Sequence, residues 1–141
     1  MKGLLSEGAE DARDPIGPSM GIEVRHSPGK GRGVFATRPF ARGDLIERAP
    51  VLVVPEDEHP HIVATVLNSY VFGWGEGAVA VCLGFGSIYN HSWRPSVEYL
   101  KHLEGSYIDF VAIADVAAGE ELFVNYASSY PDTAHLWADF E

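Results

Sequence analysis

A chain of 141 residues with 46% hydrophobic side chains is long enough for one packed domain and too apolar for global disorder. Its 15 glycines and 9 prolines argue against a plain helical bundle, and its single cysteine excludes a disulfide framework and any multi-cysteine zinc site. The net charge of −10, from 20 acidic and 10 basic side chains, speaks against nucleic-acid binding by phosphate neutralisation and for attraction of a basic partner; no apolar run approaches the ~20 residues needed to cross a bilayer.

Residues 1–20 are polar, small and turn-rich and are expected to form a flexible N-terminal tail, in which Met20 offers a second start. They hold no apolar stretch suited to a signal peptide, so the expected compartment is the cytoplasm. Ile22 to Arg25 alternates and predicts a strand. Ser27 to Gly33 is a glycine-rich turn, Val34 to Thr37 a second strand, and Arg42-Gly-Asp44 a tight turn. Leu45-Ile46 and Val51 to Val54 are β-branched-rich runs interrupted by Pro50, and Glu56 to Pro60 is an acidic loop. Apolar residues at 62, 63, 66, 67, 70 and 71 predict one helix of about three turns over 62–72, ended by Gly73 and Gly75. Ala78 to Leu83 reads as a buried strand. Val97 to Leu100 and Ser106 to Ala114 form a strand pair around Glu104-Gly105, and Leu122 to Tyr126 is the last strand. The expected fold class is mainly β with one short helix and irregular connections. Basic residues gather early (Arg25, Lys30, Arg32, Arg38, Arg42, Arg48), whereas the chain after Lys101 has eight acids and no Lys or Arg.

Three segments could carry chemistry. Gly29-Lys-Gly-Arg-Gly33 lets backbone groups approach a ligand, yet it is neither a dinucleotide fingerprint nor a phosphate-binding loop, and alone it reads as a hairpin turn. Gly84 to Ser92 places the Asn90 amide and the His91 imidazole side by side at a turn. An amide, both donor and acceptor, suits an amino-acid head group; the plainer alternative is that Asn90 bonds its own backbone. Gly119 to Tyr126 ends a strand in a tyrosine, ordinarily a core or interface aromatic. Cys82 lies in an apolar run and reads as a packed, inert thiol. His59 and His61, beside Glu56, Asp57 and Glu58, lack a second ligand cluster, so no metal is expected.

Taken in order, Gly31-Arg-Gly-Val-Phe-Ala36, Ala41-Arg-Gly-Asp-Leu-Ile46, Leu83-Gly-Phe-Gly-Ser-Ile-Tyr-Asn-His-Ser92 with Pro95, and Ala118-Gly-Glu-Glu-Leu-Phe-Val-Asn-Tyr126 resemble the SET domain. This is the family of protein-lysine methyltransferases that use S-adenosylmethionine, here closest to the small single-domain type of bacteria and large DNA viruses. The resemblance implies small curved sheets, a β-clip, around a pseudoknot-like crossing, with a SET domain over 21–127 and a C-terminal lid segment over 128–141. It implies that Asn90 and His91 sit beside Tyr126. Backbone around Lys30, Gly31 and Arg32 would hold the methionine part of the cofactor, Asn90 its amino or carboxylate end, and His91 its adenine. Tyr126 matches the catalytic tyrosine and also the cofactor site, while Tyr70 and Tyr130 match positions that line or cover the lysine channel. The chain departs from the family pattern at Ser87-Ile88, at Trp93-Arg-Pro95-Ser96 and at Asn125.

The implied reaction is in-line transfer of a methyl group from a sulfonium to a neutral amine. Free lysine has a pKa near 10.4, so a desolvated channel beside a positive sulfonium must favour the uncharged form. The implied partner is a basic protein or peptide, histone-like, nucleoid or ribosomal. Direct nucleic-acid contact and membrane association are not expected, and pairing of two copies through exposed β surface is left open. Two other readings stand beside this one: a SET-like module with weak or no catalysis that binds a basic peptide, and an unrelated β-rich small-molecule binder.

Overall fold

The structure is a computed structural model that describes residues 17–18 and 21–129. Its strands are β1 (Gly17–Pro18), β2 (Ile22–Ser27), β3 (Gly31–Ala36), β4 (Leu45–Val54), β5 (Val71–Trp74), β6 (Ala78–Cys82), β7 (Asn90–His91), β8 (Val97–His102), β9 (Tyr107–Ala112) and β10 (Glu121–Val124). Among the described residues the one α-helix is α1 (His59–Val63), flanked by 3-10 turns at Glu56–Glu58 and Val66–Ser69. A six-stranded sheet runs β5-β6-β4-β9-β8 with β1 also on β4, and a four-stranded sheet runs β2-β3-β10-β7. Phe40, Ile46, Ile108, Phe110 and Leu122 form the buried centre between them. The sequence reading of a mainly β chain with one short helix holds.

The ten-residue β4 organises the larger sheet. Pro50 was expected to split it and does not. The strand pairs with β9 up to Pro50 and with β6 from Val51 onward. Proline lacks only a donor, and here it falls where the ladder changes partner. Its carbonyl still accepts the Leu83 N–H at 2.9 Å.

A bulge sits nearer the start of β4. Leu45 pairs with Val111 and Glu47 with Phe110, so Ile46 is the extra residue. The extra residue moves Glu47 onto the face of Phe110, the core face, and sets Arg48 opposite Asp109 on the other. Arg48 donates to both Asp109 oxygens, Nε at 2.7 Å and Nη2 at 3.0 Å. His102 Nε2 lies 3.1 Å from the same carboxylate, and the Arg48 guanidinium covers the Tyr107 ring at 4.5 Å.

The expected helix over 62–72 is replaced by three pieces. Helix α1 stops at Val63, Thr65 is extended (φ −123, ψ 170), a 3-10 turn follows, and β5 begins at Val71. The Thr65 hydroxyl donates to the Ile62 carbonyl at 2.8 Å and accepts the Leu67 N–H at 3.1 Å, which satisfies the backbone at the break. The physical reason is that the apolar stripe has nothing to pack on: Val63, Val66 and Leu67 remain exposed. Most helical stability comes from burying such a face. Gly73 therefore lies inside β5 opposite Val79, and Gly75, with φ 67, serves the β5–β6 turn instead of a helix end. The last strand also ends earlier than expected, at Val124. Asn125 Oδ1 accepts the Ala127 N–H at 2.8 Å and turns the chain into a 3-10 turn from Tyr126.

β10 is inserted between strands far from it in sequence. It pairs antiparallel with β3 and parallel with β7, Phe123 opposite Asn90 and Val124 opposite His91. This is the crossing that the resemblance implied.

Because Arg48 and Asp109 are almost fully enclosed, Asp109→Ala would strand a buried cation. It is expected to lower the unfolding free energy by about 3 kcal/mol, read as a lower urea midpoint at unchanged slope.

Candidate active site

Tyr126 is fixed from three directions. Its N–H donates to His91 Nδ1 at 3.0 Å, its hydroxyl donates to the Tyr89 carbonyl at 2.8 Å, and its own carbonyl accepts the Tyr99 hydroxyl at 3.2 Å. Since His91 Nδ1 accepts, the ring is neutral with its proton on Nε2. The imidazole is buried, edge-on to Trp93 at 4.4 Å and tilted against Tyr126 at 5.1 Å. Burial, and then the neighbouring Tyr70, Tyr99 and Glu121, push the Tyr126 phenol up to about 12. It therefore stays protonated across the neutral range, acting as a fixed hydroxyl and not as a base.

Tyr126 lines two polar clefts of about 190 and 330 Å³ that share several residues. Lys30, Gly31, Arg32 and Asn90 line the first; Gly29, Asn90 and His91 appear in the second, and Lys30, Tyr70 and Tyr126 line both. Gly29 and Gly31 have φ of 78 and 81, which only glycine adopts without strain, so the turn lays open backbone along the cleft. Asn90 does not bond its own backbone. Its Nδ2 donates to the Arg32 carbonyl at 2.8 Å and to Glu121 Oε2 at 2.7 Å.

A narrow pocket of about 50 Å³ is walled by Tyr70, Phe72, Tyr89, Tyr99, Val124 and Tyr126, with Phe72 edge-on to Tyr99 at 5.2 Å. Tyr70 and Tyr126 line this pocket and both polar clefts. A wide polar recess and a tight aromatic one thus share a wall of two phenols.

The SET domain family profile matches residues 31–127. The chain belongs to the SET-domain family. A relative from Schizosaccharomyces pombe, a histone-lysine N-methyltransferase specific for H3 lysine-37, is 36% identical over 121 residues, covering 85% of this chain and 78% of the relative. The Danio rerio N-lysine methyltransferase KMT5A-A is 27% identical over 150 residues, covering 95% of this chain and 41% of that protein. A solved structure of a candidate histone methyltransferase from Plasmodium falciparum superposes with a TM-score of 0.67 at 23% identity, over 79% of this chain and 97% of that one. That likeness speaks for the fold alone. Family and relatives together support an enzymatic activity of lysine methyl transfer.

Of the residues singled out from sequence, Lys30, Gly31, Arg32, Tyr70, Asn90, His91 and Tyr126 all line the SET-domain clefts; Tyr130 lies outside the described residues. The departures from the family pattern have local work here. The Ser87 hydroxyl lies 3.0 Å from the Cys82 carbonyl and 3.2 Å from the Tyr70 carbonyl, tying the turn to the pocket wall. Trp93 packs on His91, and Asn125 caps the turn that carries Tyr126.

Sequence reasoning missed Phe72, Tyr99 and Glu47. Tyr99 was legible from the alternation Val97-Glu-Tyr, whereas Phe72 was hidden by the expected helix. Glu47 needs the bulge. Its Oε1 accepts the Tyr89 hydroxyl and its Oε2 the Phe85 N–H, both at 2.8 Å. It thereby anchors the turn whose carbonyl holds Tyr126. Burial pushes its carboxyl up, against the lowering effect of those two donors. Burial, with the Glu47 charge second, also pushes the Cys82 thiol up to about 12, so this cysteine is an inert core side chain.

A carboxyl raised in the folded state contributes stability that is fully present in acid and lost as pH rises through the folded pKa. Glu47→Gln cannot ionise. Its amide oxygen can take the Phe85 N–H while the Tyr89 hydroxyl turns to accept from the amide nitrogen. The variant is expected to gain stability relative to wild type as pH rises above the ordinary carboxylate value of 4.5, measured as the difference in urea midpoints along a pH series.

Proposed function

We propose that the chain transfers a methyl group from S-adenosylmethionine to the side-chain amine of a lysine in a basic protein, at the wall between the polar clefts and the aromatic pocket. The observation that carries this reading is the placement of Tyr126 on both recesses, with its hydroxyl proton committed to the Tyr89 carbonyl.

The polar side fits a charged amino-acid cofactor. Lys30 and Arg32 line it with positive charge, suited to a carboxylate, and Asn90 offers an amide beside the open backbone of Gly31. Tyr126 gives the second cleft aromatic surface for a nucleoside base, which His91, its ring buried, would meet through backbone groups. The cofactor, when bound, would supply the electrophilic methyl group.

The aromatic side fits a lysine stem. Phe72, Tyr89, Tyr99 and Val124 exclude water from the aliphatic chain. A dry pocket penalises the ammonium, so the lysine sheds its proton to solvent as it enters and no protein base is required. Tyr126 Oη directs its hydrogen to the Tyr89 carbonyl, so toward an amine N–H it acts as an acceptor. That bond turns the nitrogen lone pair along the pocket axis. Alignment of this kind contributes about 7 to 11 kcal/mol to such displacements.

The acidic surplus of the chain favours a basic protein as substrate, histone-like by the names of the relatives, and mostly raises the rate of encounter.

Purified chain incubated with labelled S-adenosylmethionine and a panel of basic proteins should place label on lysine, located by mass spectrometry. Tyr126→Phe removes the oxygen and is expected to lower kcat roughly a hundredfold while leaving S-adenosylhomocysteine affinity within about threefold. Basic-peptide binding without any Tyr126-dependent transfer would make the domain a binding module instead.

A further inference from the structure

The turn from Phe85 to Tyr89 touches both tyrosines of the shared wall, and one carboxylate holds it at each end. Glu47 Oε2 accepts the Phe85 N–H and Oε1 the Tyr89 hydroxyl, both at 2.8 Å. From the turn, the Tyr89 carbonyl accepts the Tyr126 hydroxyl at 2.8 Å, and the Ser87 hydroxyl lies 3.2 Å from the Tyr70 carbonyl. Gly86 and Ser87 line the aromatic pocket, and Ser87 and Ile88 a polar cleft.

The turn has little slack. The Ile88 N–H donates to the Phe85 carbonyl at 2.9 Å and the Gly86 N–H to the Leu83 carbonyl at 3.2 Å. A Cβ at Gly86 would collide with the Cys82 sulfur, so the turn lies directly on the end of β6. A displacement at either end is therefore passed along to the Tyr89 carbonyl. Stability alone gives no reason for a carboxylate at 47. The side chain is buried, and an apolar pair in place of the carboxylate and its phenol partner would serve folding as well or better. What the carboxylate supplies is two directed acceptors at a fixed spacing, so that β4 sets where residues 85 and 89 stand.

We propose that Glu47 is a positioning residue for methyl transfer: through the 85–89 turn it fixes the Tyr126 hydroxyl against Tyr70, and with it the line along which the amine meets the methyl group. This rests on the methyl-transfer reading given above. It adds to that reading a group that lines none of the three recesses.

The test is a double-mutant cycle on the full chain, with the best-labelled protein of the basic panel as acceptor. Glu47→Leu combined with Tyr89→Phe removes acceptor and donor together, so no phenol is stranded. It should lower kcat roughly tenfold per S-adenosylhomocysteine-binding site, counted by calorimetry, with KM for the acceptor within about threefold. The same pair in a Tyr126→Phe background should cost less than about twofold, because no hydroxyl is left to place. Glu47→Gln keeps both contacts and should hold kcat within about twofold of wild type. Without cofactor, the Tyr126 ring signal in NMR of tyrosine-labelled protein, identified by its loss in Tyr126→Phe, should shift or split in the apolar pair and stay in place in Glu47→Gln. If the pair does not fold, Tyr89→Phe alone releases one end and should show the same dependence on Tyr126 at about threefold. Equal losses with and without the Tyr126 hydroxyl, an unchanged kcat per site, or an unmoved Tyr126 signal would overturn the assignment. Wild type that labels no protein of the panel would overturn the methyl-transfer reading itself, and this inference with it.

Discussion

Everything at the site depends on β10 lying between β3 and β7. One short strand fixes three things at once: its start brings Glu121 against Asn90, its middle holds the 90–91 segment in parallel register, and its end delivers Tyr126 to the carbonyl of Tyr89. Parallel pairing of so short a segment is weak on its own. It is reinforced by the Ser92 N–H on the Val124 carbonyl and by the Tyr126 N–H on the His91 ring. The imidazole thus acts here as a backbone partner, which its neutral, buried state allows.

Beneath that crossing is a second layer of support. The bulge in β4 turns a carboxylate inward, and this carboxylate holds the Tyr89 hydroxyl from below while the Tyr89 carbonyl holds Tyr126 above. The Tyr89 ring also stacks on Phe110 at 4.5 Å. One tyrosine thus adds a tie between the large sheet and the small one, used at its ring, its hydroxyl and its carbonyl. A tyrosine serves this better than phenylalanine because the buried carboxylate needs a donor.

Local pattern made much of this readable in advance. Alternation marked Ile22 to Arg25, the apolar run marked Ala78 to Cys82, and the turn glycines marked the loops around Gly31 and Gly43. Period failed where its assumption failed. The stripe over 62–72 has helical spacing, but a helix forms only if the fold supplies a surface for it, and no spacing reports that. Pro50 failed in the opposite sense, since a strand can pass through a proline where the ladder changes sides. Glu47 and Glu121 were illegible for a further reason: one depends on a single-residue bulge, the other on a strand insertion spanning most of the chain. The order of the glycine, Asn-His and tyrosine segments pointed to the site only through family resemblance, because the crossing that unites them leaves no periodic trace.

The same insertion has a consequence for biosynthesis. The wall between the two recesses is closed by a residue near the end of the domain, while the cleft it completes is lined from residue 29 onward. During translation the earlier strands emerge with the slot for β10 unfilled and two strand edges bare. Until Tyr126 has emerged the wall shared by the recesses is incomplete, and the edges of β3 and β7 that β10 covers stay unpaired.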